Sequence, residues 1–480
     1  MDWSWFWATD ASVARLVIER GIALVYLLAF VAAWHQFPAL LGERGLLPVP
    51  RFLAFLPFRR APSLFHLGYT DARLRLVAGV GAIGAAALLI GLPQQAALPI
   101  TMATWALLWV LYLSIVNVGQ TFYAFGWESL LLDAGFLAIF LGNAETAPPL
   151  LVILLFRWLT FRLEFGAGLI KLRGDPCWRD GTCMRYHHET QPMPNPLSWW
   201  FHHLPAPLHR LEVHGNFVTQ LVLPFGLFLP QPIAGLSAAA MILTQGYLLL
   251  SGNYAWLNAL TIILAVSGLP DAAFGPLADA VAVGATDAPG WFMGLVLAWT
   301  VATVVLSWWP VRNLIGRDGQ LMNFSFNPFH LVNTYGAFGS VTRERREVIV
   351  EGTRSAVPDE DAEWRAYEFI GKPGDPRRRP PQIAPYHLRL DWLLWFVPLS
   401  PAYASEWFPA FLQKLLENDR PTLRLLRRNP FPDEPPRWVR ARYARYRFTT
   451  WRERRAAGAT WVAEPAGILM PPVSRPWRSE

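Results

Sequence analysis

The chain has 480 residues, of which 53% are apolar and 14% aromatic, and its mean hydropathy is positive at +0.25. Soluble proteins of this length rarely have that composition, so we expect a membrane protein. Two cysteines exclude a disulfide-rich framework. The whole formal charge of +7 arises after residue 339, and such a basic tail predicts contact with membrane lipid or solvent and no nucleic-acid partner.

Weakly charged apolar runs predict about eight or nine membrane-spanning helices. Most runs have the roughly 17–25 residues that a spanning helix needs, or slightly fewer. No small-residue cleavage site follows the first run, so we expect a retained anchor. The run that contains Pro224 is short, and a broken or re-entrant segment is expected there. The runs cover residues 16–37, 74–92, 97–118, 121–141, 150–170, 217–229, 233–251, 254–269 and 291–309.

Hydropathy falls after Pro310, which divides the chain into two predicted domains. Residues 1–339 form a transmembrane helical domain, and residues 340–480 form a β-rich extramembrane domain. The predicted fold class is therefore an α-helical multi-pass membrane protein with a β-rich C-terminal soluble domain. Within that domain, β-branched and aromatic residues predict strands at Arg346–Thr353, Trp364–Ile370 and Arg437–Thr450, and an apolar period of 3.6 predicts a helix at Trp407–Asn418.

The distribution of basic residues bears on the orientation in the membrane. With nine spans, the basic loop 38–73, the start of the loop after the fifth span and the basic tail lie on one face. The loop 270–290 carries only acidic charges and lies on the other face. The positive-inside rule would make the basic face cytoplasmic, although long loops obey that rule poorly.

The fifth predicted span carries a polar stripe. Arg157, Glu164 and Lys171 follow one another at intervals of seven, which places them on one face of a helix. A charge at the bilayer centre costs at least ~2.5–3.5 kcal/mol, so the stripe must face other helices or a wet cavity. We expect Glu128 and Asp133 of the preceding span as counter-ions. Both a structural ion network and the lining of a functional cavity fit this pattern.

The loop of residues 171–216 concentrates histidines and prolines between two apolar runs. Cys177 and Cys183 are too far apart for a redox pair and lack the partner cysteines of a zinc site. They predict a local disulfide, with free thiols as the alternative. The prolines of residues 191–196 predict an extended strip, since each residue before a proline avoids helical geometry.

Acid–base chemistry in this loop has a small set of candidates. No H-E-x-x-H register is present, and adjacent histidines on regular structure point in different directions. We therefore expect no metal and no cofactor. A desolvated lysine or carboxyl group at the mouth of a cavity is able to serve as acid or base. The candidate catalytic residues are Lys171, His187, His188 and Glu189.

The string GAGLIKLRGDPCWRDGTCMRYHHETQPMPNP, with HHLPAPLHRLE and SGNYAWLNALTI after it, resembles the signature region of the lipase maturation factor family. The segments GQTFYAFGWESLLLDAGFLAIF, EVIVEGT, YEFIGKPGD and NPFP extend the resemblance over most of the chain. Animal members lie in the endoplasmic reticulum membrane. The composition, rich in Arg, Ala and Pro, suggests a bacterial-type member in a cytoplasmic membrane.

The resemblance implies a chaperone-like maturation factor that assists secreted or exported proteins such as lipases. It places the loop and the tail on the lumenal or periplasmic side, against the positive-inside rule. An intramembrane enzyme acting on a lipid or an exported polypeptide is the alternative, and a transporter is disfavoured because no paired repeat occurs. The loop residues expected to bind a client are Arg173, Asp175, Trp178, Arg179, Tyr186, Gln191 and Asn195.

Overall fold

The computed structural model describes residues 3–281, 284–316 and 319–475. Its principal helices are α1 Ser12–Leu41, α2 Asp71–Ile90, α3 Leu98–Asn117, α4 Gly126–Ala138, α5 Leu150–Arg173, α6 Met184–Thr190, α7 Ala206–Phe217, α8 Ile233–Ser251, α9 Leu257–Ala265, α10 Gly290–Leu306, α11 Trp308–Ile315, α12 Arg389–Phe396, α13 Phe408–Leu416 and α14 Trp451–Ala457. Shorter helices lie at Val49–Leu53, Gln120–Tyr123, Pro176–Arg179, Ser198–His202, Leu223–Gly226, Pro276–Ala280 and Arg420–Leu423.

The chain is an integral membrane protein with fewer long apolar helices than predicted. Among the described residues, five helices are long and apolar enough to span a membrane, namely α1, α2, α3, α8 and the continuous segment Gly290–Ile315. The count of eight or nine is not confirmed. Helices α4 and α9 have 13 and 9 residues, too few to cross alone. Helix α5 has 24 residues, but its five charged side chains make it too polar to be counted among the spanning helices. It lies against other helices.

The short run around Pro224 is helical but irregular. A π-helix, Val218–Val222, continues from the end of α7 and leads into the short helix Leu223–Gly226. The predicted break therefore takes the form of a change in helical pitch. π-Helical segments are rare and often occur at functional sites, and Gln220 in this segment contributes to the cavity described below.

Helix α1 joins the two ends of the bundle. Its 30 residues span about 45 Å at 1.5 Å per residue. At its start, the backbone N–H groups of Ser12 and Val13 donate to the Asp271 carboxylate at 3.0 and 2.8 Å. Near its end, Gln36 Nε2 donates to the carbonyl of His387 at 2.7 Å. The acidic loop 270–290 and the C-terminal region thus lie at opposite ends of α1.

The C-terminal region contains β-strands in two sheets, as predicted in outline. A four-stranded antiparallel sheet has the order β2-β1-β5-β6, and β3 pairs with β4. Three predicted strands and the helix α13 are found near their expected positions, although one predicted strand is divided into β2 and β3. The strands are β1 Arg345–Thr353, β2 Arg365–Ala366, β3 Glu368–Phe369, β4 Leu426–Arg428, β5 Trp438–Phe448 and β6 Trp461–Ser474.

Strand β6 was not expected, because Pro465, Pro471 and Pro472 argue against a central strand. It occupies the edge of the sheet, where a missing N–H group is tolerated. The inner strands β1 and β5 bury Val350 and Val439. These side chains belong to the same continuous hydrophobic core as the membrane helices. The boundary between residues 339 and 340 stays a prediction.

Candidate functional site

The loop of residues 171–216, called the signature loop below, folds into short helical segments held by one disulfide. Cys177 and Cys183 are bonded, with Cα atoms 4.8 Å apart, and both side chains are buried. The bond joins the helix Pro176–Arg179 to the start of α6. Asp175 caps the first of these helices by accepting a hydrogen bond from the backbone N–H of Cys177 at 3.0 Å. The predicted disulfide is confirmed.

Residues 191–196 have no helix or strand, as their prolines predicted. The buried side chain of Gln191 donates from Nε2 to the carbonyl of Ser251 at 2.9 Å. Asn195 donates from Nδ2 to the carbonyl of Leu250 at 2.9 Å. Both side chains therefore fasten the signature loop to the end of α8.

The other residues predicted to bind a client differ in exposure. Arg173 and Arg179 are exposed, and each donates to a backbone carbonyl. Trp178 is buried and donates from Nε1 to a backbone carbonyl at 2.9 Å. Asp175 and Tyr186 are partly exposed. Client binding stays a prediction, for which the two exposed arginines offer charged groups at the surface.

The polar stripe lies on the face of α5 that meets the π-helix and α8. Arg157 donates to two backbone carbonyls at 2.8 and 3.0 Å. Glu164 accepts hydrogen bonds from Gln245 at 2.7 Å and from Gln220 at 2.9 Å. Lys171 Nζ donates to Gln220 Oε1 at 2.8 Å. Gln220 therefore bridges the carboxylate and the ammonium, which do not pair directly.

The expected counter-ions do not neutralise the stripe. Asp133 pairs with Arg162 of the same α5 helix at 3.0 Å, and Glu128 pairs with Arg389 at 2.6 Å. All four side chains are buried. Arg389 lies 261 residues after Glu128, so no local pattern reveals that pair. The sequence did contain a signal for Arg162. Helical periodicity places this residue on a different face of α5 from the stripe, which indicates a separate partner.

A cavity of about 1410 Å³ is bounded by α5, α7, α8 and the signature loop. Its walls are mainly apolar, and its polar lining includes Lys171, Glu164, His187 and Glu212. Glu128, one of the two expected counter-ions, does not line the cavity, because its side chain is buried against Arg389. Large apolar cavities with a few converging polar groups are typical binding sites for small molecules.

The four acid–base candidates do not form one group. Lys171 and His187 line the cavity. His188 faces a carboxylate on α7 at 2.9 Å, while Glu189 accepts a hydrogen bond from a backbone N–H of β5 at 2.7 Å. Neighbouring positions in the sequence therefore point to three different places, as expected for successive residues on a helix.

His187 is held neutral at the cavity wall. Burial lowers the pKa of its imidazole to about 3, and the nearby charge of Lys171 acts in the same direction. Its Nε2 atom lies 2.8 Å from the Tyr254 hydroxyl. Burial also raises the pKa of Glu189, against the hydrogen bond that its carboxylate accepts. A neutral imidazole beside a phenol orients a polar ligand more readily than it removes a proton.

The C-terminal region grips the signature loop through a buried arginine. Arg345 of β1 donates to the carbonyls of Gln191 at 2.5 Å and Pro192 at 3.2 Å. Glu347 pairs with Arg345 and, at 2.9 Å, with Lys372. Burial lowers the pKa of Lys372 to about 8, an effect that the Glu347 charge partly opposes. The signature loop and the sheet thus form one continuous structure.

The architecture and these contacts can be compared with known families. The family model of the lipase maturation factor transmembrane domain matches residues 13–276, and that of the lipase maturation factor C-terminal domain matches residues 331–471. The chain belongs to the lipase maturation factor family. The two matched regions of this lipase maturation factor family member contact each other where Arg345 donates to the carbonyl of Gln191.

Full-length relatives agree with this assignment. Lipase maturation factor 1 of Bos taurus is 42% identical over 98% of this chain and 90% of its own length. Lipase maturation factor 1 of Homo sapiens is 41% identical over 98% of this chain and 88% of its own length. Lipase maturation factor 2 of Homo sapiens is 28% identical over 96% and 82%, respectively. No solved structure matches the chain.

Proposed function

We propose that the chain is a membrane-anchored maturation factor that assists the folding or assembly of secreted or exported proteins such as lipases. The observation that carries this proposal is the 42% identity over 98% of the chain to a protein named Lipase maturation factor 1. Because that likeness includes both the membrane helices and the C-terminal region, the proposal concerns the whole molecule.

The client is proposed to bind where the signature loop and the C-terminal region meet. Arg173 and Arg179 are exposed on the loop. Beyond them, Arg343 pairs with Asp175 at 2.8 Å and lies over the Tyr186 ring at 4.9 Å. Arginine and aromatic side chains are enriched in protein interfaces. A rigid, disulfide-bonded platform also loses little conformational entropy on binding.

The signature loop and the C-terminal region are proposed to lie in an oxidising compartment. For a bacterial member this is the periplasmic side of the cytoplasmic membrane, and for eukaryotic relatives it is the lumen of the endoplasmic reticulum. The Cys177–Cys183 disulfide supports this side, since disulfides persist in such compartments. The acidic loop 270–290, at the opposite end of α1, then faces the cytoplasm.

Coexpression with a secreted lipase tests the function. In cells without a lipase maturation factor of their own, the full-length chain should raise the activity of secreted lipase without raising lipase synthesis. An equal yield of active lipase with and without the chain would overturn the proposal. Deleting residues 340–480 is unsuitable as a test, because it would leave Glu128 buried without Arg389.

Client binding is better tested at the surface. Arg179→Glu should weaken copurification of the lipase, since the side chain is exposed and its only described hydrogen bond goes to one backbone carbonyl. Arg365→Glu is the matched control, because Arg365 is an exposed arginine on β2 outside the loop. Equal copurification of both variants would place the client elsewhere.

A second candidate function is an intramembrane enzyme that acts on a lipid or an exported polypeptide. The cavity of about 1410 Å³ favours it, since Lys171 and Glu164 lie in the wall of a mainly apolar space large enough for a lipid chain. Membrane lipid is accordingly the proposed occupant. Lys171→Met distinguishes the two functions: loss of lipase maturation at an unchanged level of folded chain would favour the enzyme.

A further inference from the structure

Three potential metal ligands lie together between α6 and α7. His188, His209 and Glu212 each offer one nitrogen or oxygen atom, and these atoms all lie within 4.8 Å of one another. We propose that they form a binding site for a divalent metal ion of the Zn²⁺ type. The site lies outside the stripe of α5, and its histidines have no role in the proposed client surface.

The geometry places the Glu212 carboxylate between the two rings. His188 Nε2 lies 2.9 Å from Glu212 Oε1, and His209 Nδ1 lies 2.7 Å from Glu212 Oε2. Both imidazoles are buried, and the carboxylate is about 10% exposed. A bound ion replaces these two hydrogen bonds with metal–nitrogen and metal–oxygen bonds of about 2.0–2.2 Å.

The surroundings of His209 are compatible with a metal-bound ring. Its Nε2 atom lies 3.3 Å from the carbonyl oxygen of His202, which only accepts hydrogen bonds. A neutral His209 that donates to this carbonyl has a lone pair on Nδ1, directed at the Glu212 carboxylate. Two lone pairs facing each other at 2.7 Å repel, and a cation removes the conflict. That cation is either a proton on the ring or a metal ion, which the metal-content measurement below distinguishes.

The same contact is the usual environment of a metal-bound histidine. Such a ring donates its second N–H to a carbonyl or carboxylate, which fixes the tautomer. The Tyr247 hydroxyl donates to Glu212 Oε1 and supports the carboxylate in the same way. His188 Nδ1 has no hydrogen-bond partner within the part of the chain that the structure describes, so only one of the two imidazoles has this support.

The ligand set selects the ion. Two imidazoles and one carboxylate suit Zn²⁺ and related transition metals, whereas Mg²⁺ and Ca²⁺ prefer all-oxygen sites. Three protein ligands leave one position open for water. Glu212 and Tyr247 both line the cavity, so the cluster borders it. The sequence did contain a signal, since His209 and Glu212 are three residues apart on one helix face.

Metal content is the first test. The full-length chain, purified in detergent without a histidine tag and dialysed against a weak chelator, should retain about one Zn²⁺ per chain. His188→Gln and His209→Gln should lose it. His214→Gln, an exposed histidine on the same helix, is the matched control and should retain the metal.

Affinity gives a second measurement if the histidine variants fold poorly. Competition with a chromophoric zinc chelator should show that Tyr247→Phe, which keeps all three ligands, weakens Zn²⁺ binding by about 10–100-fold. Zinc at the level of background in the wild type, or equal zinc in the wild type and His188→Gln, would overturn the proposal. In that case the cluster is a charged hydrogen-bonded triad.

Discussion

Glu128 and Glu164 are both buried carboxylates of the membrane domain, but their surroundings differ. Glu128 accepts hydrogen bonds from Arg389 at 2.6 Å and from Tyr112 in a closed junction with the C-terminal region. Among the described residues, Glu164 accepts hydrogen bonds from two neutral amide donors, at 2.7 and 2.9 Å, and it lines a large cavity. The nearest ammonium, Lys171, reaches it through Gln220.

A charge in a membrane span is therefore not by itself a functional site. A direct, enclosed ion pair fixes how two regions pack together. A carboxylate and an ammonium separated by an amide at a cavity wall are available to a ligand. The first arrangement predicts that substitutions lower stability strongly, and the second predicts a smaller cost in stability.

Breaking the closed junction should have the largest effect. Arg389→Met leaves the Glu128 carboxylate buried without a cation, which should cost about 3–5 kcal/mol of stability. The yield of folded protein and the thermal unfolding temperature in detergent report this loss. Arg365→Met, at an exposed arginine of β2, should leave both unchanged.

The double variant Glu128→Gln with Arg389→Met sharpens that test. Removing the second charge should recover part of the lost stability, because no unpaired charge remains buried. A double variant as unstable as Arg389→Met alone would show that packing of the arginine, over the Tyr123 ring at 3.4 Å, matters more than its charge.

The closed junction also predicts a pH dependence through Asp391 of α12. Burial raises the pKa of its carboxyl group from 3.8 to about 6. The folded state therefore binds a proton between pH 6 and 4 that the unfolded state has released, so this group adds stability as the pH falls. As the pH falls from 6 to 4, the free energy of unfolding of the wild type should rise by about 1.4 kcal/mol per pH unit relative to that of Asp391→Asn.

The stabilities of both proteins, measured by chemical denaturation in detergent at pH 4, 5 and 6, give the difference. Asparagine keeps an oxygen that accepts the hydrogen bond from the Gly371 N–H group. A constant difference between the two proteins across these pH values would contradict the burial of an ionisable group at this position.

Glu164 and Lys171, at the wall of the cavity, should tolerate substitution better than the closed junction does. Lys171→Met removes a donor to Asn216 and Gln220 and should cost about 1–3 kcal/mol, the range for unsatisfied buried acceptors. If the chain is a non-catalytic maturation factor, the secreted lipase activity per molecule of folded chain should not change. A large fall in that ratio would instead support the function of an intramembrane enzyme.

The smallest effect is expected at Arg343, which contacts the signature loop from the C-terminal region. Arg343 is 44% exposed in its side chain and pairs with Asp175 at 2.8 Å. Arg343→Ala should change stability by no more than about 1 kcal/mol, as for other exposed ion pairs. Copurification of a lipase should fall nonetheless if Arg343 contacts the client. Unfolding of the variant would instead make this pair part of the closed junction.

The sequence predicted much of the fold because its strongest signals are local. Five long apolar runs became helices of spanning length, and the β-branched residues around Val348 and Val350 predicted β1. The count of eight or nine spans was not confirmed, because buried helices such as α4 are as apolar as lipid-facing ones but shorter. Strand β6 was missed because edge position, which makes its prolines tolerable, depends on the pairing of distant strands.

The site was predictable only where neighbours in the sequence are neighbours in space. Cys177 and Cys183 are six residues apart, and their bond was expected. The stripe of α5 followed from helical periodicity. The partners of its carboxylate, Gln220 and Gln245, lie 56 and 81 residues away and carry no charge, so no pattern distinguished them from other glutamines.

The signature loop and the C-terminal region are proposed to face the compartment in which exported proteins fold. Arg179→Cys and Asp287→Cys place single exposed thiols at opposite ends of the bundle, with the native disulfide intact. In intact bacterial cells, a thiol reagent that cannot cross the cytoplasmic membrane should label Arg179→Cys directly and Asp287→Cys only after permeabilisation. The reverse pattern would show that the signature loop and the C-terminal region face the cytoplasm.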